Sequence, residues 1–341
     1  MTPLTLLARP DYDAALRPLP WRRMAWVTWR QHRIAVGGAV LVLGGLALFL
    51  WLTGLPIHQA WTAAATCRPA GSVACVQASN LITNKYVPQE VVAGFLLTLA
   101  PALLGAFVGA PVLARELETG TFRYTWTQGI GRFRWTLGKL VPLAIAVAAA
   151  AGALSVLSWW YFQPFFDVHF GTPLAPALFD LRGVAYAAWT LAAFTIAALL
   201  GMFIRRVVPA IAATLAAYLG LALVPGLWLR QHYLAPVLST SNTVPSSAWI
   251  LDQWYTKGGK FAFAVPQKSG IIAGLIHQHC PTASGNLTLG QCLAQHGYTQ
   301  WTSYQPVTRF WPFQWIEAGW LVALSALLIA VTIWLVRRRA A

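Results

Sequence analysis

Six apolar runs limit what this chain can become. They lie at about Ile34–Leu55, Val91–Leu113, Leu140–Tyr161, Gly183–Ile204, Val207–Leu229 and Trp315–Val336. Each holds about 20 residues, enough for a helix to cross the ~30 Å hydrocarbon core of a bilayer. Core helices of a soluble protein do not recur at this length six times in succession. The charge content agrees: 10% of the 341 residues are charged, against about 25% in a soluble domain. The expected fold is an all-α membrane protein with six transmembrane helices. The lead "MTPLTLLARPDYDAALRPLP" lacks the apolar core and cleavage site of a secretory signal, so the first run is expected to be kept as a span.

An even number of spans places both termini on one side, and Lys and Arg concentrate on the cytoplasmic side. With the termini inside, the inner segments hold Arg9, Arg17, Arg22, Arg23, Arg30, Arg33, Arg115, Arg123, Arg132, Arg134 and Lys139. They also hold Arg205, Arg206 and Arg337 to Arg339, which brings the inner total to 16 of 24 basic residues. Both termini are therefore expected in the cytoplasm. The net charge of +15 reads as orientation signal. It does not point to nucleic acid, because the basic residues are dispersed beside spans and accompany no nucleic-acid motif.

The cysteines fit this orientation. Cys67 and Cys75 follow the first span, and Cys280 and Cys292 precede the sixth, so all four fall outside, where disulfides persist. Local pairs, Cys67–Cys75 and Cys280–Cys292, are favoured among three possible connectivities.

The remaining segments divide simply. Residues 1–33 form a cytoplasmic lead ending in "PWRRMAWVTWRQHR", where Arg22, Arg23, Arg30 and Arg33 share one arc of a helical wheel. That pattern predicts an N-terminal interfacial helix with its basic face towards anionic headgroups. Residues 34–229 contain spans one to five. Residues 230–313 predict a small extracytoplasmic domain or cap between spans five and six, and residues 314–341 the sixth span with a basic cytoplasmic tail. "SWWYFQPFF" at the end of the third span predicts an aromatic belt at the outer interface. Gly105 and Gly109 form a G-x-x-x-G, which serves bundle packing or dimerisation equally well, and Pro101 should kink the second span.

The loop 114–135, "ARELETGTFRYTWTQGIGRFRW", is the charged and aromatic exception between two apolar runs. Gly120 should end the incoming helix. Thr121 can cap a short helix Phe122–Gln128, which Gly129 can close, and Arg132 begins the next span. The result is an elbow across the inner membrane surface offering Phe122, Arg123, Trp126 and Gln128. The chain has no phosphate-binding loop of the G-x-x-x-x-G-K-[ST] type: Gly138-Lys139 is followed by Leu140, and Gly259-Lys260 by Phe261. ATP is not expected to bind here.

"APVLARELETGTFRYTWTQGIGRFRWTLGKL", with "WVTWRQHR" before the first span, resembles bacterial ABC-2 type transporter permeases of the small six-span kind. The matching residues are Glu116, Glu118, Gly120 and Thr121, then Gln128, Arg132 and Trp135. The resemblance implies the transmembrane permease subunit of an ATP-binding-cassette exporter in the bacterial inner membrane, not itself an enzyme. It implies that the elbow is a coupling helix docked on a cytoplasmic ATPase subunit, which binds ATP and Mg, while this chain holds no cofactor. It further implies a second permease chain, expected to be identical. Glu116 and Glu118 would anchor the loop, and Phe122, Arg123 and Trp126 would contact the ATPase. The apolar spans suggest a hydrophobic or amphipathic cargo.

Two other classes remain as alternatives. An ion-coupled secondary transporter needs intramembrane ionisable residues, and Glu317 stands out as nearly the only one in the six runs. A membrane-anchored enzyme could use the outer segment, where His277, His279, Cys280, Cys292 and His296 resemble metal ligands in type. The oxidising compartment makes a disulfide the preferred reading and no metal is expected.

Overall fold

Each apolar run is a helix in the computed structural model, which describes residues 21–69, 72–120, 132–168, 171–240, 244–264 and 293–339. Among these residues six helical segments are long and apolar enough to cross a membrane: Gly37–Thr66, Val73–Thr119, Trp135–Asp167, Val184–Ile204, Val207–His232 and Val307–Arg338.

The helices run longer than the apolar stretches. The first extends over Trp21–Thr66 without interruption. Residues 21–33, expected as an interfacial helix, are helical and continuous with the first span. The reason is local: no Gly or Pro falls between Trp21 and Val36 to break the hydrogen-bond ladder. The stretch between the first two apolar runs is likewise largely helical. The first helix continues to Thr66 and the second starts at Val73, where the Ser72 hydroxyl accepts the Cys75 N–H at 3.3 Å. Cys67 and Cys75 are joined by a disulfide across the tip of this helical hairpin. Cys280 and Cys292 lie outside the described residues.

The fourth span is the axle of the bundle. Of its apolar window 67% is buried, against 17% for the first span and 11% for the fifth. Its Ala-rich surface lets neighbours approach closely. Gly105 and Gly109 lie in a π-turn, Gly105–Gly109, that interrupts the second span just after Pro101. A Cβ on Gly105 would come within 2.6 Å of Ala193 backbone, and one on Gly109 within 2.7 Å of the Phe194 carbonyl. The G-x-x-x-G thus packs span two on span four within one chain. In contrast, Gly37, Gly38, Gly44 and Gly45 have open space before them.

At the far end from the elbow the described residues of the segment expected to be a small domain or cap form a four-stranded antiparallel sheet of order β1-β4-β2-β3. Its strands are β1 Val237–Ser239, β2 Trp249–Lys257, β3 Lys260–Ala264 and β4 Tyr298–Gln305. The β2–β3 hairpin turns at Gly258 and Gly259, both with positive φ, as a two-residue turn requires.

Candidate functional site: the elbow and its roots

The second helix ends as the sequence requires. Gly120 takes φ 71°, ψ 6°, the left-handed closure that glycine adopts without steric cost. Thr121, Phe122, Arg123, Trp126 and Gln128 lie outside the described residues. Arg132 opens the third helix.

Both acidic residues before Gly120 are anchored, to different helices. Glu116 Oε1 accepts from Lys139 Nζ on the third helix, and both residues are buried, at 9% and 5% exposure. The Lys139 ammonium also lies 4.7 Å from the centre of the Trp135 ring. The ends of the two helices that flank residues 121–131 are therefore pinned to each other, Glu116 on the second helix to Lys139 on the third. The second Glu116 oxygen, Oε2, is buried without a hydrogen-bond partner. Glu118 is exposed, and its Oε2 accepts the backbone N–H of Val207 at 3.1 Å. Val207 begins the fifth helix, directly after the Arg205-Arg206 turn, in which Arg205 adopts φ 60°. A carboxylate at a helix N-terminus satisfies an otherwise unpaired donor and complements the helix dipole.

The sequence reading used Lys139 only as an orientation charge. The missed signal was a lysine placed after the aromatic Trp135 and within reach of an acidic pair across a short loop. A second omission concerns buried charge. Glu90, Glu116, Lys139, Arg230 and Glu317 are all buried within the extended helices, so Glu317 is not the lone ionisable group of the spans. Apolar runs hid the others because the helices continue past the runs. Glu317 is wholly buried in the protein. Its two oxygens receive Arg230 Nη2 at 2.8 Å, Arg230 Nε at 3.1 Å, Trp189 Nε1 at 2.8 Å and Tyr233 OH at 3.1 Å. Arg230 Nη2 also donates to both oxygens of Asp180 at 2.7 Å. Spans four, five and six are thereby tied together at the end opposite the elbow.

Beside the second helix's end, spans one and two and Val207 of span five border an open apolar groove of about 790 Å³. Val42, Phe107 and Pro111 line it, and Arg115, Glu118 and Val207 line it too. Among the described residues no cluster of His, Cys, Asp or Glu could hold a metal ion.

Residues 39–230, more than half the chain, match the family described as ABC-2 membrane transporter related. The chain belongs to that family. The matched region of this ABC-2 protein takes in the first five spans, the elbow and both of its anchors, and ends at Arg230. The sheet and the sixth span of the ABC-2 protein lie beyond it. Searches of curated proteins and of solved structures find no match.

Proposed function

We propose that this ABC-2 protein is the permease subunit of an ATP-driven exporter of the bacterial inner membrane. The elbow 114–135 docks on a separate cytoplasmic ATPase, which binds ATP and Mg. Both termini lie in the cytoplasm, and the four-stranded sheet lies outside with the disulfide-tied hairpin. Two permease chains, taken as identical, pair through their least buried spans, one and five, and a hydrophobic or amphipathic cargo passes between them.

The observation that carries this reading is the double anchorage of Glu116 and Glu118. A loop that must transmit force needs stiff roots on more than one helix. Here the two roots reach the third and the fifth helices, so a push on the elbow is delivered to both. The excess of Lys and Arg at this end of the bundle supports its cytoplasmic placement. Glu317, the ionisable residue that favoured ion coupling, is engaged by Arg230, which also bonds Asp180, and this speaks for a structural role at that position.

Co-expression with the cognate ATPase and affinity purification of the permease provide the test. The complex is expected to co-purify, and Arg123→Glu with Trp126→Ala is expected to abolish co-purification and transport. Transport by the purified permease alone in sealed vesicles would overturn the proposal.

A further inference from the structure

Two arginines lie buried at the end of the bundle opposite the elbow, and they differ in one respect. Arg230 has a carboxylate on either side. Arg182, only 3% exposed, has none: its guanidinium carbon lies 4.0 Å from the ring centre of Phe166, 4.6 Å from that of Trp159 and 5.0 Å from that of Phe310. Its Nε is buried with no hydrogen-bond partner. Three aromatic faces offset part of the cost of burying a cation, but they supply no acceptor for its N–H groups. Burial lowers the Arg182 pKa to about 10, which leaves it charged at neutral pH. The cage is complete except for an oxyanion.

The space for one adjoins it. Arg182 lines a cavity of about 330 Å³ together with Gln163, Asp167 and Ser247. Asp167 is exposed, and its Oδ1 accepts from Gln163 Nε2 at 2.8 Å, so one negative charge already stands at the rim. That charge disfavours a doubly charged ligand and leaves a singly charged one tolerable. A second, apolar groove of about 630 Å³ shares Trp159, Gln163 and Trp311 with this cavity. Val156, 72% exposed in the middle of a span, lines the groove, so the groove opens on the face the helices turn to lipid. This cavity, whose lining sets Arg182, Gln163, Asp167 and Ser247 among aromatic rings, sits where the third span ends at Asp167 and the fourth begins at Val184, and the ends of membrane-crossing helices are where headgroups are met.

From this juxtaposition we infer that Arg182 binds the singly charged phosphodiester headgroup of a bilayer lipid, whose acyl chain lies in the aromatic groove beside Val156. The site is independent of the exporter reading, and its test needs no ATPase.

The test is lipid retention by the purified full chain, read by native mass spectrometry after exchange into phosphatidylglycerol or into a phosphate-free galactosyl diacylglycerol of matched chain length. Phosphatidylglycerol is expected to be retained about tenfold more, the size of one charge-assisted hydrogen bond. Arg182→Gln is expected to abolish the preference, and Arg182→Lys to keep part of it. Val156→Trp, which fills the groove from an exposed position, is expected to lower phosphatidylglycerol retention with Arg182 intact, and it decides the matter should Arg182→Gln fail to fold. Equal retention of the two lipids, an undiminished preference in Arg182→Gln, or undiminished retention in Val156→Trp overturns the proposal. So does full competition by inorganic phosphate, which would assign the site to a free anion.

Discussion

Glu317 of the sixth span and Arg230 at the end of the fifth form a two-point ion pair, with Oε1 2.8 Å from Nη2 and Oε2 3.1 Å from Nε and neither side chain exposed. A guanidinium fork on a carboxylate fixes orientation as well as charge. Here it joins two helices that the chain separates by the whole sheet.

The pair predicts an asymmetry between its two truncations. Arg230→Met leaves Glu317 and Asp180 facing each other with no cation between them. Glu317→Gln leaves Arg230 still bound to Asp180. Removing one partner of a buried pair costs about 3–5 kcal/mol, and Arg230→Met should lie at the upper end. Thermal unfolding in detergent, followed by size-exclusion fluorescence, is expected to rank wild type above Glu317→Gln and both above Arg230→Met.

Glu116 and Lys139 predict a rescue. Under the proposed function, Glu116→Gln is expected to weaken coupling, seen as reduced permease stimulation of the proposed partner ATPase. The exchanged pair, Glu116→Lys with Lys139→Glu, should recover more than half of that loss, since it restores the bridge across the elbow. Equal defects in the single and exchanged variants would show that the bridge is not what matters.

The glycines of spans one and two should respond in opposite ways. A methyl at Gly105 meets span-four backbone at 2.6 Å, and overpacking of this kind costs about 1–3 kcal/mol. Gly44 has nothing within 4 Å, so Gly44→Ala is expected to leave thermal stability unchanged or slightly raised through helix propensity. Melting temperatures of the two alanine variants provide the comparison.

The hairpin disulfide closes a loop with a sequence separation of 8 residues, and chain-entropy arguments give such a short loop about 2–3 kcal/mol. That stabilisation is local to the tip. Cys67→Ser with Cys75→Ser should speed proteolysis near residues 66–73 and leave the spans' hydrogen-exchange protection intact. Non-reducing peptide mapping of the wild type should recover the Cys67–Cys75 link.

The spans could be read from the sequence because bilayer thickness imposes a length that few other structures need. Their ends could not, because hydropathy stops where side chains become polar, whereas helices stop where the backbone is broken. Hence Trp21–Val36 and Val73–Glu90 proved to be helix, and Glu90 and Lys139 proved to be buried. The stop at Gly120 was legible, since glycine there has a backbone reason. The roles of Glu116 and Glu118 as anchors could be anticipated only through resemblance. Their partners, Lys139 and the Val207 N–H, depend on tertiary proximity over 23 and 89 positions. The sheet had one clear local signal, Gly258-Gly259 between Lys257 of β2 and Lys260 of β3, but β4 pairs back onto β2 from Tyr298 onward and no local pattern announces that pairing.

The first helix carries one more implication. Its apolar part alone, the 30 residues Gly37–Thr66, is about 45 Å long at 1.5 Å per residue, roughly 15 Å more than the hydrocarbon layer is deep. A tilt takes up only some of that excess. The cystine-tied crest therefore reaches past the hydrocarbon to the level of the headgroups, as a post on the same rim as the sheet.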